Sequence, residues 1–171
     1  MKFKLPESLT KQTKTMSKKL LLTLSLITFG LFAQSQTNLF SNVKRIIAES
    51  HPEINLDNKL IALNVWSVDN SESREANKSF EKAYNIYEVA ILKGGRKGIV
   101  VLAVSKDELS SEAVITLKKD GVTKMISVKL NELEGLDAGT SNIIFDGEGH
   151  EVYKNLSSPN VFSSIQHLIT R

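Results

Sequence analysis

Five consecutive side chains, Asp69-Asn70-Ser71-Glu72-Ser73, place two carboxylates, an amide and two hydroxyls directly after an apolar run and directly before Arg74. As chemistry, the set offers Asp69 or Glu72 as a general base and Ser71 or Ser73 as a nucleophile. As structure, it is a helix N-terminus. Asp, Asn and Ser are the side chains that best accept the free N–H groups of a first turn, and an acid there complements the helix dipole. Every residue of the set has such a task, so the capping reading is preferred. The three histidines, His51, His150 and His167, fall in different predicted elements without His-x-x-x-His or Glu-x-x-His spacing, so the spacing points to no metal. There is no Gly-x-Ser-x-Gly elbow, and Gly94-Gly95-Arg96-Lys97-Gly98 lacks the spacing and the Ser/Thr of a phosphate loop. No cofactor is implied.

The chain has no cysteine. That removes every mechanism built on a thiolate and, for an exported protein, leaves stability to packing without disulfides. Export is the reading of residues 16–35. Met16-Ser17-Lys18-Lys19 precedes an uncharged run from Leu20 to Phe32, followed by Ala33-Gln34-Ser35, which is the pattern of a secretory signal peptide cleaved after Ser35. The run of about 13 residues is short of the ~20 that span a bilayer, so no stable membrane anchor is expected after processing. No cysteine follows the run for lipid attachment, and Met16 already begins a complete signal, so it is a candidate true start. Of the 22 Lys+Arg and 19 Asp+Glu, six and one lie in residues 1–35, which leaves 16 basic and 18 acidic residues and a net charge of −2. The alkaline pI belongs to the leader, and a nucleic-acid role loses its compositional support. Lys93-Gly94-Gly95-Arg96-Lys97, the one local basic cluster, reads as a solvated turn. Asn77-Lys78-Ser79 and Asn155-Leu156-Ser157 fit the glycosylation sequon, which a bacterial-looking leader makes coincidental.

The elements that would position the 69–73 set follow from periodicity. Leu39, Val43, Ile46 and Ile47 predict a first helix that Pro52 ends near His51. Leu60 to Trp66 and Ile99 to Val104 are branched, nearly continuous apolar runs, as parallel strands buried on both faces would be. Between them a long helix from Ser71 carries Ala76, Phe80, Ala83, Tyr84, Tyr87 and Ile91 on one stripe, with Gly94-Gly95 as its stop. Asp107 and Ser110 or Ser111 offer caps for a shorter helix over Ala113 to Lys118, ending at Asp120-Gly121. Met125, Ser127 and Lys129 alternate with Ile126, Val128 and Leu130, as a strand with Met125 on its one wetter face would, and Asp146-Gly147-Glu148-Gly149 predicts a hairpin between Asn142–Phe145 and 150–155. Pro159 opens a last helix with Val161, Phe162, Ile165, Leu168 and Ile169 inward. The expectation is one α/β domain over 36–171, a central mixed sheet of four to five strands with helices on both faces.

Three stretches carry a resemblance beyond element order. Lys59 to Ser67 looks like a strand closing on a Phe-Trp-Ala type sequence, with Arg74 where a basic residue often follows a second cysteine. Ile99 to Asp107 is similar to a valine-rich strand followed by Ser, any residue and Asp, and Asn142 to Val152 to a strand, Asp, Gly hairpin. Together they resemble the exported bacterial thioredoxin-like (redoxin) family over roughly residues 55–171. The resemblance implies a thioredoxin-like fold and makes Asn70-Ser71-Glu72-Ser73 the degenerate redox motif, with Asn70 and Ser73 at the two cysteine positions. Thr140 or Ser141 stands at the family's cis-proline. Thiol–disulfide exchange needs an attacking and a resolving thiol, which Asn and Ser cannot supply.

The functional expectation is therefore a periplasmic or secreted bacterial protein, not a thiol enzyme, that binds a protein or peptide partner. Its binding edge would be formed by Trp66, Ser67, Asp69, Gly139, Thr140 and Ser141, with Trp66 itself expected in the core. One rival is non-thiol catalysis by Asp69, Glu72 or His150. The other is a structural subunit of an envelope complex, marked by an exposed apolar patch on the first or last helix. A trans peptide is expected at Thr140 and Ser141, because cis without proline costs about 2.5–4 kcal/mol.

Overall fold

The computed structural model describes residues 38–91, 98–108, 110–137 and 139–169. The leader with its Met16 start, the Gly94-Gly95 stop and the 93–97 basic cluster lie outside the described residues. Helix α1 (38–50) buries Leu39, Val43 and Ile47, one residue per turn, and the chain leaves it where the His51 N–H reaches the Ile47 carbonyl ahead of Pro52. Strand β1 (Leu60–Trp66) is buried along its whole length because it has neighbours on both edges and helices or loops on both faces. It pairs in parallel with β2 (Ile99–Ser105), from Leu60 opposite Ile99 to Trp66 opposite Ser105, and antiparallel with β4 (Asn142–Phe145). With β3 (Ile126–Lys129) and β5 (Glu151–Lys154) the sheet order is β3-β2-β1-β4-β5. A 3₁₀ turn, Leu130–Glu132, follows β3, so Leu130 leaves the strand it was expected to close.

Two successive crossovers, β1 to β2 through α2 (Ser71–Tyr87) and β2 to β3 through α3 (Ser110–Lys119), step in the same direction across the sheet. Right-handed crossovers with a common direction put both helices on one face. Ala76, Phe80 and Ala83 of α2, Ala113 and Leu117 of α3, and Val161 and Ile165 of α4 (Ser158–Ile169) accordingly share one core with Leu60, Ala62 and Trp66. The other face carries α1 and the segments around Ile54 and Leu133, packed on Ile61, Leu63 and Val65. Helices do cover both faces, three against one. Helix α4 lies along α2, where the Phe162 ring stacks 6.1 Å from Tyr87 and under the Lys82 ammonium. Among the described residues no helix is long and apolar enough to cross a membrane.

Two further expectations need correction. Helix α2 ends at Tyr87, and Ile91 is 76% exposed rather than on the buried stripe. The Ala90 N–H turns back to the Tyr87 carbonyl and the Gly98 N–H bonds the Ala90 carbonyl, so the chain reverses before Ile91 can join the ladder. Asp107 Oδ2 accepts the Val68 N–H at 2.9 Å and the Ser105 hydroxyl at 3.2 Å, tying the loop after β1 to the end of β2. Met125, assigned to the wetter side of β3, is buried with the helices. The end of α3 is as expected, with Gly121 at φ +76° while Val122 N–H and Gly121 N–H close on the Leu117 and Lys118 carbonyls.

Candidate functional site

The loop from Ser67 must turn the chain from β1 into α2 and satisfy the helix's first N–H groups, and two of the five polar residues, Asn70 and Ser73, do this reciprocally. Asn70 is the N-cap, in extended backbone, with its Oδ1 accepting the Ser73 N–H at 2.8 Å. The Ser73 hydroxyl donates back to the Asn70 carbonyl at 2.9 Å and accepts the Ser67 N–H at 3.3 Å. The one proton of the Ser73 hydroxyl is thus committed to a carbonyl and not to a base. The capping reading holds here.

Inside the cap lies Asn64, 1% exposed on the helix-facing side of β1. Its Nδ2 spends both protons on α2, one on the Ser73 carbonyl and one on Asn77 Oδ1, each at 2.8 Å. Asn64 pairs with Asn142 across to β4, which brings 139–142 beside the start of α2. Asn142 in turn grips Leu156 from both sides, Nδ2 donating to its carbonyl at 2.8 Å and Oδ1 accepting its N–H at 2.9 Å. The Ser158 hydroxyl donates to the Glu72 carbonyl, closing the far wall.

Between these walls is a cleft of 310 Å³. Of the expected residues, Asn70, Glu72, Ser73, Gly139, Thr140 and Ser141 line it; Trp66, Ser67, Asp69 and Ser71 do not. Trp66 is fully buried in the core, and its Nε1 has no hydrogen-bond partner. Sequence reasoning missed Asn64, Lys106, Asn155 and the 156–158 segment as lining. For Asn155 and 156–158 the only advance signal was the hairpin, which returns the chain to the start of β4. Among the described residues no peptide bond is cis, as expected for Thr140 and Ser141. Ser141 is held on both sides: its carbonyl accepts the Val65 N–H at 2.7 Å, and its N–H donates to Asn155 Oδ1 at 2.9 Å.

The other candidate groups do not converge on this cleft. His150 lies beyond the opposite end of β4, since β4 runs antiparallel from Asn142 beside Asn64 to Phe145 beside Ile61. There it meets Asp146, with Nδ1 3.1 Å from Oδ2. Single ligand atoms of Asp146, Glu148 and His150 lie within 4.8 Å of one another, a grouping that sequence spacing did not suggest. Asp146 already works as the hairpin cap, its Oδ1 accepting the Glu148 and His150 N–H groups. Burial pushes its carboxyl up, but the bonds from His150 and Glu148 outweigh this and hold it below the usual range. His51 faces Glu53 and His167 is exposed on α4.

Arg74, just inside α2, makes a two-point ion pair with Asp120 at the end of α3, Nε to Oδ2 at 2.7 Å and Nη2 to Oδ1 at 2.6 Å. The hydrogen bond from Arg74 lowers the Asp120 pKa against the opposing effect of burial, and the guanidinium charge lowers it further. A depressed carboxyl contributes stability above its unfolded pKa, about 3.9, and loses it as pH falls through the lower folded value. Asp120→Asn should therefore flatten the loss of stability below about pH 4. Urea unfolding across acid pH checks this, and an unchanged slope would mean that the pair contributes nothing.

No protein-family model matches the chain, and no curated protein sequence does. Solved structures do match. The thioredoxin domain of a thiol-disulfide oxidoreductase from Bacteroides vulgatus superposes with TM-score 0.53 at 17% identity, over 67% of this chain and 82% of that one. A thiol:disulfide interchange protein from a Bacteroides species gives 0.54 at 17% identity, over 67% and 75%. The chain has the thioredoxin fold. At this identity the likeness establishes the architecture, which the resemblance in 55–171 anticipated. Within the thioredoxin fold, the N-cap and first turn of α2 are Asn70-Ser71-Glu72-Ser73, and no cysteine stands anywhere in the chain.

Proposed function

We propose that this protein is an exported, redox-inactive thioredoxin-fold protein that binds a protein or peptide partner at the cleft between the start of α2 and residues 139–142. One observation carries the reading. The thioredoxin fold occurs in a chain without cysteine, and Asn70 and Ser73 form a reciprocal helix cap bordering a formed cleft. A chain without cysteine has no thiolate to attack a disulfide. Export rests on the leader sequence at 16–35. Because the backbone of Ser141 is occupied on both sides, the partner is gripped by side chains rather than by adding a strand there.

Non-thiol catalysis loses support from the separation of His150 from Asp69 and Glu72 and from the committed Ser73 hydroxyl. The structural-subunit reading keeps one observation. Ile86, Val89 and Ile91 at and after the end of α2, and Val114 and Ile115 on α3, are exposed large apolar residues, though not on the first or last helix as expected. The test is a photo-crosslinker placed at Asn70, at Val89 or at His167, with capture from the native cell envelope. Capture from Asn70 that excess unlabelled protein competes away is the expected result. Capture from Val89 alone moves the function to the apolar surface, and capture from His167 alone refutes both.

A further inference from the structure

Bonds already made decide what the cleft has left to offer. Asn70 Oδ1 accepts the Ser73 N–H, and Asn155 Oδ1 accepts both the N–H and the hydroxyl of Ser141. A backbone N–H can only donate, so the atom facing it is the carboxamide oxygen in each case. Among the described residues the Nδ2 group of each, a two-proton donor, is left without a hydrogen bond. Both residues are exposed and both line the cleft. Thr140 lines it too, 1% exposed, with an Oγ1 that has no hydrogen-bond partner.

Two acceptors of the lining are spent. Asn142 Oδ1 holds the Leu156 N–H, and the Ser141 carbonyl holds the Val65 N–H. Glu72 and Lys106, the two charged residues of the lining, cancel in formal charge. The 17-residue helix α2 adds the positive end of its dipole at the same place. Beside the Glu72 carboxylate, the cleft offers the donors of Asn70, Asn155 and Thr140.

We propose that this cleft takes a carboxylate, whose two oxygens accept from Asn70 Nδ2, Asn155 Nδ2 and the Thr140 hydroxyl. The inference rests on the reading of the cleft as a binding site and names the group that enters it. A carboxylate suits the site because it presents only acceptors and carries a single charge. Neutral amide donors and one helix terminus can balance that charge without an arginine clamp.

The test titrates ¹⁵N-labelled full-chain protein with three probes: a tripeptide with a free C-terminal carboxylate, the same tripeptide amidated at that end, and acetate. The side-chain amide signals of Asn70 and Asn155 report binding. The free acid should shift both and the amide neither. Asn70→Asp and Asn155→Asp keep the Oδ1 acceptors, and so the cap and the Ser141 bond, but replace the donor with a second oxygen. Each should weaken the free acid by about tenfold or more through like-charge repulsion, and Glu72→Gln should tighten it. Acetate binding as tightly as the tripeptide identifies a small free carboxylate as the ligand; tighter tripeptide binding identifies a chain terminus. No shift with any probe, equal shifts from acid and amide, or indifference to both Asp variants overturns the proposal. If a partner is still captured from Asn70 after such a result, the binding site survives and only its carboxylate is lost; no capture removes the site itself.

Discussion

Asn64→Asp, a change of one amide nitrogen to oxygen, is expected to destabilise the protein by about 3 kcal/mol or more at neutral pH. The Asn64 side chain is 1% exposed, and both of its Nδ2 protons are used, on the Ser73 carbonyl and on Asn77 Oδ1. A carboxylate in that place would set an anion against two oxygens, out of reach of water. Asn77 can turn its amide, whose Nδ2 has no hydrogen-bond partner, and so rescue one contact. The Ser73 carbonyl belongs to the first turn of α2 and cannot turn. The pH dependence gives the sign. Burial without donors raises the folded pKa of the new carboxyl above its unfolded value of about 3.9. The variant's deficit relative to the parent is therefore smallest below about pH 4 and grows as pH rises. Paired urea melts across that range are the measurement. A deficit under about 1 kcal/mol at pH 7 would show that the amide is not an anchor between strand and helix.

Gly98→Ala is expected to cost about 3 kcal/mol or more, against about 1–2 kcal/mol for Gly121→Ala. Both glycines have positive φ, +86° and +76°. They differ in surroundings: a Cβ on Gly98 would lie 1.9 Å from the Glu88 carbonyl oxygen, whereas one on Gly121 meets nothing within 4 Å. The Gly98 backbone cannot move aside, because its N–H holds the Ala90 carbonyl and its carbonyl holds the Leu60 N–H at the head of β1. Thermal unfolding of the two variants separates backbone strain from close approach, and equal losses would remove the second effect.

Some of this structure was legible in the residue order, for local reasons. β1 and β2 read as unbroken branched apolar runs because central parallel strands are buried on both faces. The start of α2 was legible because Asn70, Glu72 and Ser73 satisfy it from within four residues. Its end was not. Ile91 has the right spacing for the stripe, and only the reversal toward Gly98 excludes it. Bonds between distant residues were equally hidden. Asp107 bonds Val68, 39 residues earlier. Glu81, a carboxylate only 6% exposed on α2, holds the Thr123 and Lys124 N–H groups more than 40 residues on. Half of the cleft was missed for the same reason. Asn155 and Leu156 reach it only because β5 stops at Lys154 and the chain folds back onto Asn142.

The reciprocal cap also bears on how this loop can change over generations. Asn70 and Ser73 hold each other, so a cysteine at either position alone removes part of the cap, at a cost of about 1 kcal/mol, and supplies only one of the two sulfurs that exchange requires. Each single step toward thiol chemistry loses stability and gains no activity, and only both together could supply it. The loop therefore behaves as a ratchet, and descendants of this protein have an easier path to new surfaces around the cleft than to redox chemistry.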